Sequence, residues 1–206
     1  MPGIRLTPAA FDLCGGHPAL DLVNSLGDRF LEGGPIERLT DYGKLLRFTV
    51  DEGLLEAPRA RRLALTEPAL AERALRAARE LREALAAALY ARVAGRAIPE
   101  TELSRLARCF QRAARHRELT APRAGAALDW EWGRFGSRAE LPVWLLAQSA
   151  AELVTSGTLA RVSACGVDTC RWLFLDTSRN HSRRWCDMKI CGNRMKARRF
   201  HARHEG

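Results

Sequence analysis

Cys165-Gly-Val-Asp-Thr-Cys170 and, fifteen residues further on, Cys186-Asp-Met-Lys-Ile-Cys191 are the two stretches whose reading decides how this chain folds at its end. Each holds a pair of cysteines with four residues between them, and two such pairs supply the four donors of one tetrahedral site. Zn2+ suits four thiolates because it is borderline-soft, has no redox chemistry and binds sulfur at about 2.3 Å, with paired ligands usually two to four residues apart. The expected site is therefore one structural zinc held by Cys165, Cys170, Cys186 and Cys191. Other readings stay open at this point. An iron–sulfur cluster also takes four cysteines, although its closely spaced three-cysteine run is missing. A redox disulfide is another, and His181 in place of one cysteine a third. A catalytic zinc needs an open coordination position, which four thiolates normally close.

Working outward, Trp172-Leu-Phe-Leu175 reads as a strand and Asp176-Thr-Ser-Arg-Asn180 as turn formers, so a hairpin is expected between the cysteine pairs. Beyond Cys191, Gly192-Asn193 reads as a helix start with Asn193 as N-cap and Met195, Ala197 and Phe200 as its apolar contacts. Knuckle, hairpin and helix together imply a treble-clef-like or ribbon-like zinc module. Arg183, Arg184, Arg194, Lys196, Arg198, Arg199 and Arg203 crowd this module with cations. Residues 1–160 hold 22 Lys and Arg against 20 Asp and Glu, whereas residues 161–206 hold 11 against 4. The net charge of +9 therefore belongs mostly to the tail, the electrostatic footprint of a module that meets a polyanion. Arginine outnumbers lysine among those seven, which suits bidentate contact with phosphate or guanine.

Arg183-Arg-Trp-Cys186-Asp-Met188 followed by Cys191-Gly-Asn-Arg194-Met-Lys196-Ala-Arg-Arg199 resembles the bacterial CGNR zinc-finger family. Cys165 to Cys170 with Leu173-Phe-Leu-Asp-Thr-Ser178-Arg-Asn180 is similar to the same family, and Ala19-Leu-Asp-Leu-Val-Asn24-Ser resembles the opening of its sensor-like N-terminal domain. The resemblance implies a transcription regulator of the stress-induced kind, with a C-terminal finger that binds DNA. It makes the four cysteines the zinc ligands, sets Arg194 and Lys196 in the signature helix, and brings no catalytic residues. Leu22 departs from an expected aromatic and Ser25 from an expected threonine.

The rest of the chain reads as a mainly α (α+β) fold with a few short strands, residues 1–160 forming a helical sensor or dimerisation domain and residues 161–206 the finger. The boundary is expected between Gly157 and Ala164. Segments 19–26 and 42–50 are short elements of either type. Thr66 is expected to cap a long helix that carries Leu70, Leu81, Leu85, Leu89 and Val93 and stops at Gly95. A second helix has Pro99 in its first turn and Leu103, Leu106, Ala107, Phe110 and Ala114 at helical spacing. Leu128 to Trp132 alternates apolar and charged residues as a half-buried strand with both tryptophans on one face. Ser137-Arg-Ala-Glu140 reads as a capping box for the most apolar helix, in which Trp144 is a core residue. Cys14 and Cys109 read as small buried apolar side chains.

No secretory signal is read, because the apolar stretch from Ala9 to Leu13 is broken by Asp12, Gly15-Gly16 and Pro18. The longest charge-free apolar run, Leu141 to Ala151, falls well short of the ~20 residues that span a bilayer. A cytoplasmic protein with reduced cysteines is expected. The leading functional expectation is a DNA-binding regulator whose larger domain senses a small-molecule effector or mediates homodimerisation. The alternative is a zinc-stabilised adaptor for RNA or an acidic protein. Asp21 and Asn24 are the candidate effector contacts, in a pocket against the core helices. His17, Asp21, Asn24 and Arg29 form no acid–base or nucleophile arrangement, so no enzyme is expected.

Overall fold

Ala71, Ala74, Leu75, Ala78, Leu81, Leu85 and Leu89 recur three or four residues apart, which places them on one buried stripe of α4 (Pro68–Val93), a helix of 26 residues. Alanines on that stripe let neighbouring helices approach closely. Each fully buried leucine there contributes roughly 1.5–3 kcal/mol of transfer free energy. The structure is a computed structural model that describes residues 11–121, 125 and 127–204; the side chains of residues 199 and 201–204 lie outside the description, as does the start of the stretch from Ala9.

Around α4 stand α1 (Pro18–Asn24), α2 (Tyr42–Asp51), α5 (Glu100–Ala114) and α6 (Leu141–Thr155), with α3 (Ala57–Leu63) against α2, and α7 (Asn193–His204) is the last described element. Three antiparallel strand pairs join them: β1 (Leu26–Gly27) with β2 (Ile36–Glu37), β3 (Glu118–Thr120) with β4 (Asp129–Glu131), and β5 (Val162–Ala164) with β6 (Leu173–Leu175). The fold is thus mainly α with short strands. Helices α4, α5 and α6 pack on one another, and α1 lies against both α6 and β6. Among the described residues no helix is long and apolar enough to cross a membrane.

Segment 42–50 turns out helical, in α2, and segment 19–26 is helical in α1 as far as Asn24 and passes into β1 at Leu26. Several start signals are displaced. The N-cap of α4 is Glu67, not Thr66, whose N–H instead closes the turn after α3 by bonding the Leu63 carbonyl. Pro99 is the cap of α5, not a member of its first turn. The box expected at Ser137 does not form: Glu140 precedes Leu141 and Pro142, and the proline needs no donor where helical N–H groups have no partner. The two tryptophans part company. Trp130 stays exposed on β4, whereas Trp132 leaves the strand and stacks on Trp144, which also has His116 parallel to it at 3.9 Å. Trp144 is in the core as expected.

Arg82 is the unexpected interior charge. Its side chain is 4% exposed and holds both carboxylate oxygens of Glu37 at 2.7 Å, with Glu83 at 2.8 Å. This guanidinium ties the β1–β2 hairpin to α4, and full pairing is what makes its burial tolerable.

Candidate metal centre

β5 and β6 pair Val162 with Leu175 and Ala164 with Leu173, and the loop between them carries Cys165 and Cys170. The hairpin therefore brackets the first cysteine pair, where the sequence had placed it between the pairs. The tight knuckle is closed by Cys165 N–H to the Trp172 carbonyl at 2.8 Å and Cys170 N–H to Val167 at 2.8 Å. Gly166 passes directly beneath Trp185, where a Cβ would sit 3.1 Å from the ring and would push it back by a few tenths of an ångström.

The second pair is built on a helix start. Asp187, not Asn193, is the cap: its side chain accepts the Ile190 N–H at 2.7 Å, and a wide π-type turn over Met188–Gly192 runs straight into α7. Cys191 thus lies inside the first turn, where partial positive charge favours a thiolate. Of the expected apolar contacts only Met195 packs on the cysteines; Ala197 and Phe200 are exposed.

The four sulfurs all lie within 4.8 Å of one another. A tetrahedral zinc with Zn–S bonds of about 2.3 Å requires S···S edges of about 3.8 Å. Cys170–Cys186 at 3.6 Å and Cys186–Cys191 at 3.7 Å match that edge. Cys165, Cys186 and Cys191 are buried and Cys170 half-buried, so the shell is closed. Hydrogen bonds from Cys170 and Cys186 pull the Cys165 thiol below its usual range, while that same neighbour pushes Cys170 up to about 12. Four thiols this close cannot all ionise alone, and a dication is what lets them do so. The donor set fits zinc: the four cysteines would hold it, and it would fix the knuckle against the start of α7. His181 is exposed, at a positive φ of 48°, and is not in the cluster.

Residues 161–204 match the family model for the CGNR zinc finger, and residues 16–157 match the ABATE model, described as "Putative stress-induced transcription regulator". The chain belongs to the ABATE family. A search of the curated proteins gave no match. The description places this ABATE chain among transcription regulators, and its finger carries the one structural zinc expected for Cys165, Cys170, Cys186 and Cys191.

In this ABATE protein Arg183 is not a free cation. Its guanidinium donates to the carbonyls of Trp185 at 2.9 Å, Cys14 at 3.3 Å, Leu175 at 3.4 Å and Cys186, and lies over the buried Phe174 ring at 4.5 Å. Its expected nucleic-acid role gives way to a structural one, because its donors are spent on the knuckle. Arg184, Arg194, Lys196 and Arg198 are exposed, as is Lys189, which sequence reading left out. The side chains of Arg199 and Arg203 lie outside the described residues. Asp176 organises the following loop by accepting from Ser178 N–H at 2.8 Å and Arg183 N–H at 3.0 Å, and the Ser178 hydroxyl first among these bonds holds its carboxyl below the usual range.

Asp21 and Asn24, expected to face an effector, face the protein instead. Asn24 donates to the Leu173 carbonyl and accepts the Leu173 N–H, both at 2.9 Å, which clamps α1 to β6. Asp21 accepts the Gly15 N–H at 2.8 Å, and a Cβ at Gly15 would meet that carboxylate at 2.9 Å. Both residues are buried. Gly15 in turn accepts the Leu175 N–H at 2.7 Å, and Val162 and Leu173 belong to the main core, so hairpin and helical body share their packing. His17 accepts the Ala19 N–H as the α1 cap, and Arg29 pairs with Glu83. No sequence spacing signals these long-range pairings.

Proposed function

We propose that the chain binds duplex DNA through α7 and the turn before it, and that the zinc holds this basic element rigid. The observation that carries the reading is the run of exposed cations Lys189, Arg194, Lys196 and Arg198 on a helix start that contains a metal ligand, with exposed Arg184 in the loop just before it. A rigid scaffold reduces the ordering cost of placing those groups on a phosphate backbone. If each neutralises one phosphate, log K falls with log salt at a slope of about −4 to −5, from ~0.9 per phosphate.

The helical body carries no catalytic role in this reading. It takes a small-molecule effector or a second copy of the chain. An effector fits the cleft of about 580 Å3 between α4, α5 and α6, lined by Trp144 and Ala147 and by Arg108 and Arg112 one turn apart. The family and the regulator role point to a cytoplasmic protein.

Selection of bound sequences from random duplexes, with full-length protein and a chain truncated before Asn193, tests this reading. Enrichment that disappears with the truncation is the expected result; equal, salt-independent retention overturns it. The exposed Met188 and Ile190, 53% and 54% accessible, favour a second reading, an adaptor for RNA or an acidic protein. Competition with structured RNA separates the two, since RNA recognition leans on exposed bases and aromatic stacking. Trp172 and Trp185 are packed against the cysteines and offer little stacking surface.

A further inference from the structure

The metal centre has a fifth sulfur beside it. Cys14 packs against the four-cysteine cluster. One guanidinium, that of Arg183, bonds the carbonyls of both residues, so two cysteines from opposite ends of the chain are pinned side by side. Four thiolates complete a zinc shell, which leaves Cys14 surplus to coordination. Clefts of about 610 and 480 Å3 are each lined by Cys14 and Cys186 together, so a small solute reaches the pair.

We propose that Cys14 is an oxidation site: a peroxide-class oxidant converts Cys14 and Cys186 to a disulfide, and the metal site loses one of its four ligands. In the first step the Cys14 sulfur attacks the peroxide O–O bond, forming a sulfenic acid and releasing water. In the second the Cys186 thiolate leaves the metal and attacks that sulfur, forming the S–S bond and expelling hydroxide. The two sulfurs lose two electrons, the peroxide gains them, and Zn2+ departs with its oxidation state unchanged. Cys186 stands immediately before the Asp187 cap, so its loss frees α7 from the knuckle. The chemistry rests on the zinc assignment; only its consequence for DNA rests on the function proposed above.

The test uses zinc-loaded full-length protein treated with hydrogen peroxide. Released metal is followed with a chromogenic chelator, and linked peptides are identified by mass spectrometry without reduction. Wild type is expected to lose its zinc and yield a Cys14–Cys186 peptide, both reversed by dithiothreitol and added zinc. Cys14→Ser and Cys14→Ala keep the metal over the same interval, and Cys109→Ser, altered at a half-buried cysteine outside the cluster, behaves as wild type. Equal zinc loss from the Cys14 variants overturns the proposal. So does a linked peptide joining two of the four ligands, or a Cys14 variant that takes up no zinc, which would make Cys14 a ligand.

Discussion

Asn24 and Arg183 show how much of this molecule depends on single polar side chains. Asn24 satisfies both backbone groups of Leu173 inside the protein. An unsatisfied buried donor or acceptor costs about 1–3 kcal/mol, so Asn24→Ala is expected to lose about 2–4 kcal/mol in denaturant unfolding. Asn24→Asp repairs only the accepting half and should fall between. Arg183→Ala removes charged bonds to four carbonyls, worth about 1.5–3 kcal/mol each before losses to relaxation; its expected effect is weaker zinc retention against a competing chelator. Arg194→Ala, at an exposed position, should leave stability within about 0.5 kcal/mol while weakening DNA binding. Opposite readouts from two arginines in one basic cluster would separate scaffold from contact. Spacing and composition do not tell them apart, because both read simply as cations near a cysteine.

Among elements, the β5–β6 hairpin and α7 owe their arrangement to the metal more than to their own length. Three-residue strands and a short, strongly basic helix carry too little apolar surface to stand alone. Removing zinc with a chelator is expected to reduce helical circular dichroism by roughly one helix and to expose Trp185 to quencher, while the body around α4 still unfolds cooperatively. Cys191→Ser should reproduce that state at saturating zinc. The cysteine spacing was legible because ligands within each pair are neighbours in sequence. The hairpin's place was not: β5 lies ahead of the first cysteine and becomes a strand only by pairing with β6 across the knuckle. Helix starts were misplaced for a related reason. Thr66 and Ser137 have capping chemistry, but the caps are set by where the chain turns onto its neighbours, at Glu67 and Glu140.

Among the described residues, buried Asp21 and half-buried Glu52 are carboxyls raised on folding, so their protonation is linked to stability. Burial raises Asp21 to about 6 and Glu52 to about 8, the latter also repelled by Asp21 and Asp51. A carboxyl raised on folding binds more protons in the native state than in the unfolded chain, so its contribution is complete below its unfolded value and is lost as pH rises through its folded one. Stability is therefore expected to decline between about pH 4 and 8, and Glu52→Gln should flatten the upper part of that decline in unfolding curves. Arg82→Leu leaves Glu37 on β2 with only the looser Arg79 pair at 3.5 Å. The expected cost is about 3 kcal/mol, the lower end of the range for a broken buried pair, because Glu37 still reaches water.

By itself the sequence determined the zinc ligands, the charge split between body and tail, and the helical stripes of α4, α5 and α6. Each of these depends on residues close together in the chain, where spacing is geometry. Only the tertiary structure decided that Asn24 clamps β6, that Arg183 is spent on carbonyls, that Arg82 is interior and that Cys14 lies beside Cys186. These pairings join segments far apart in sequence. Their partners are selected by what the packed core brings into contact, and no local periodicity carries that information.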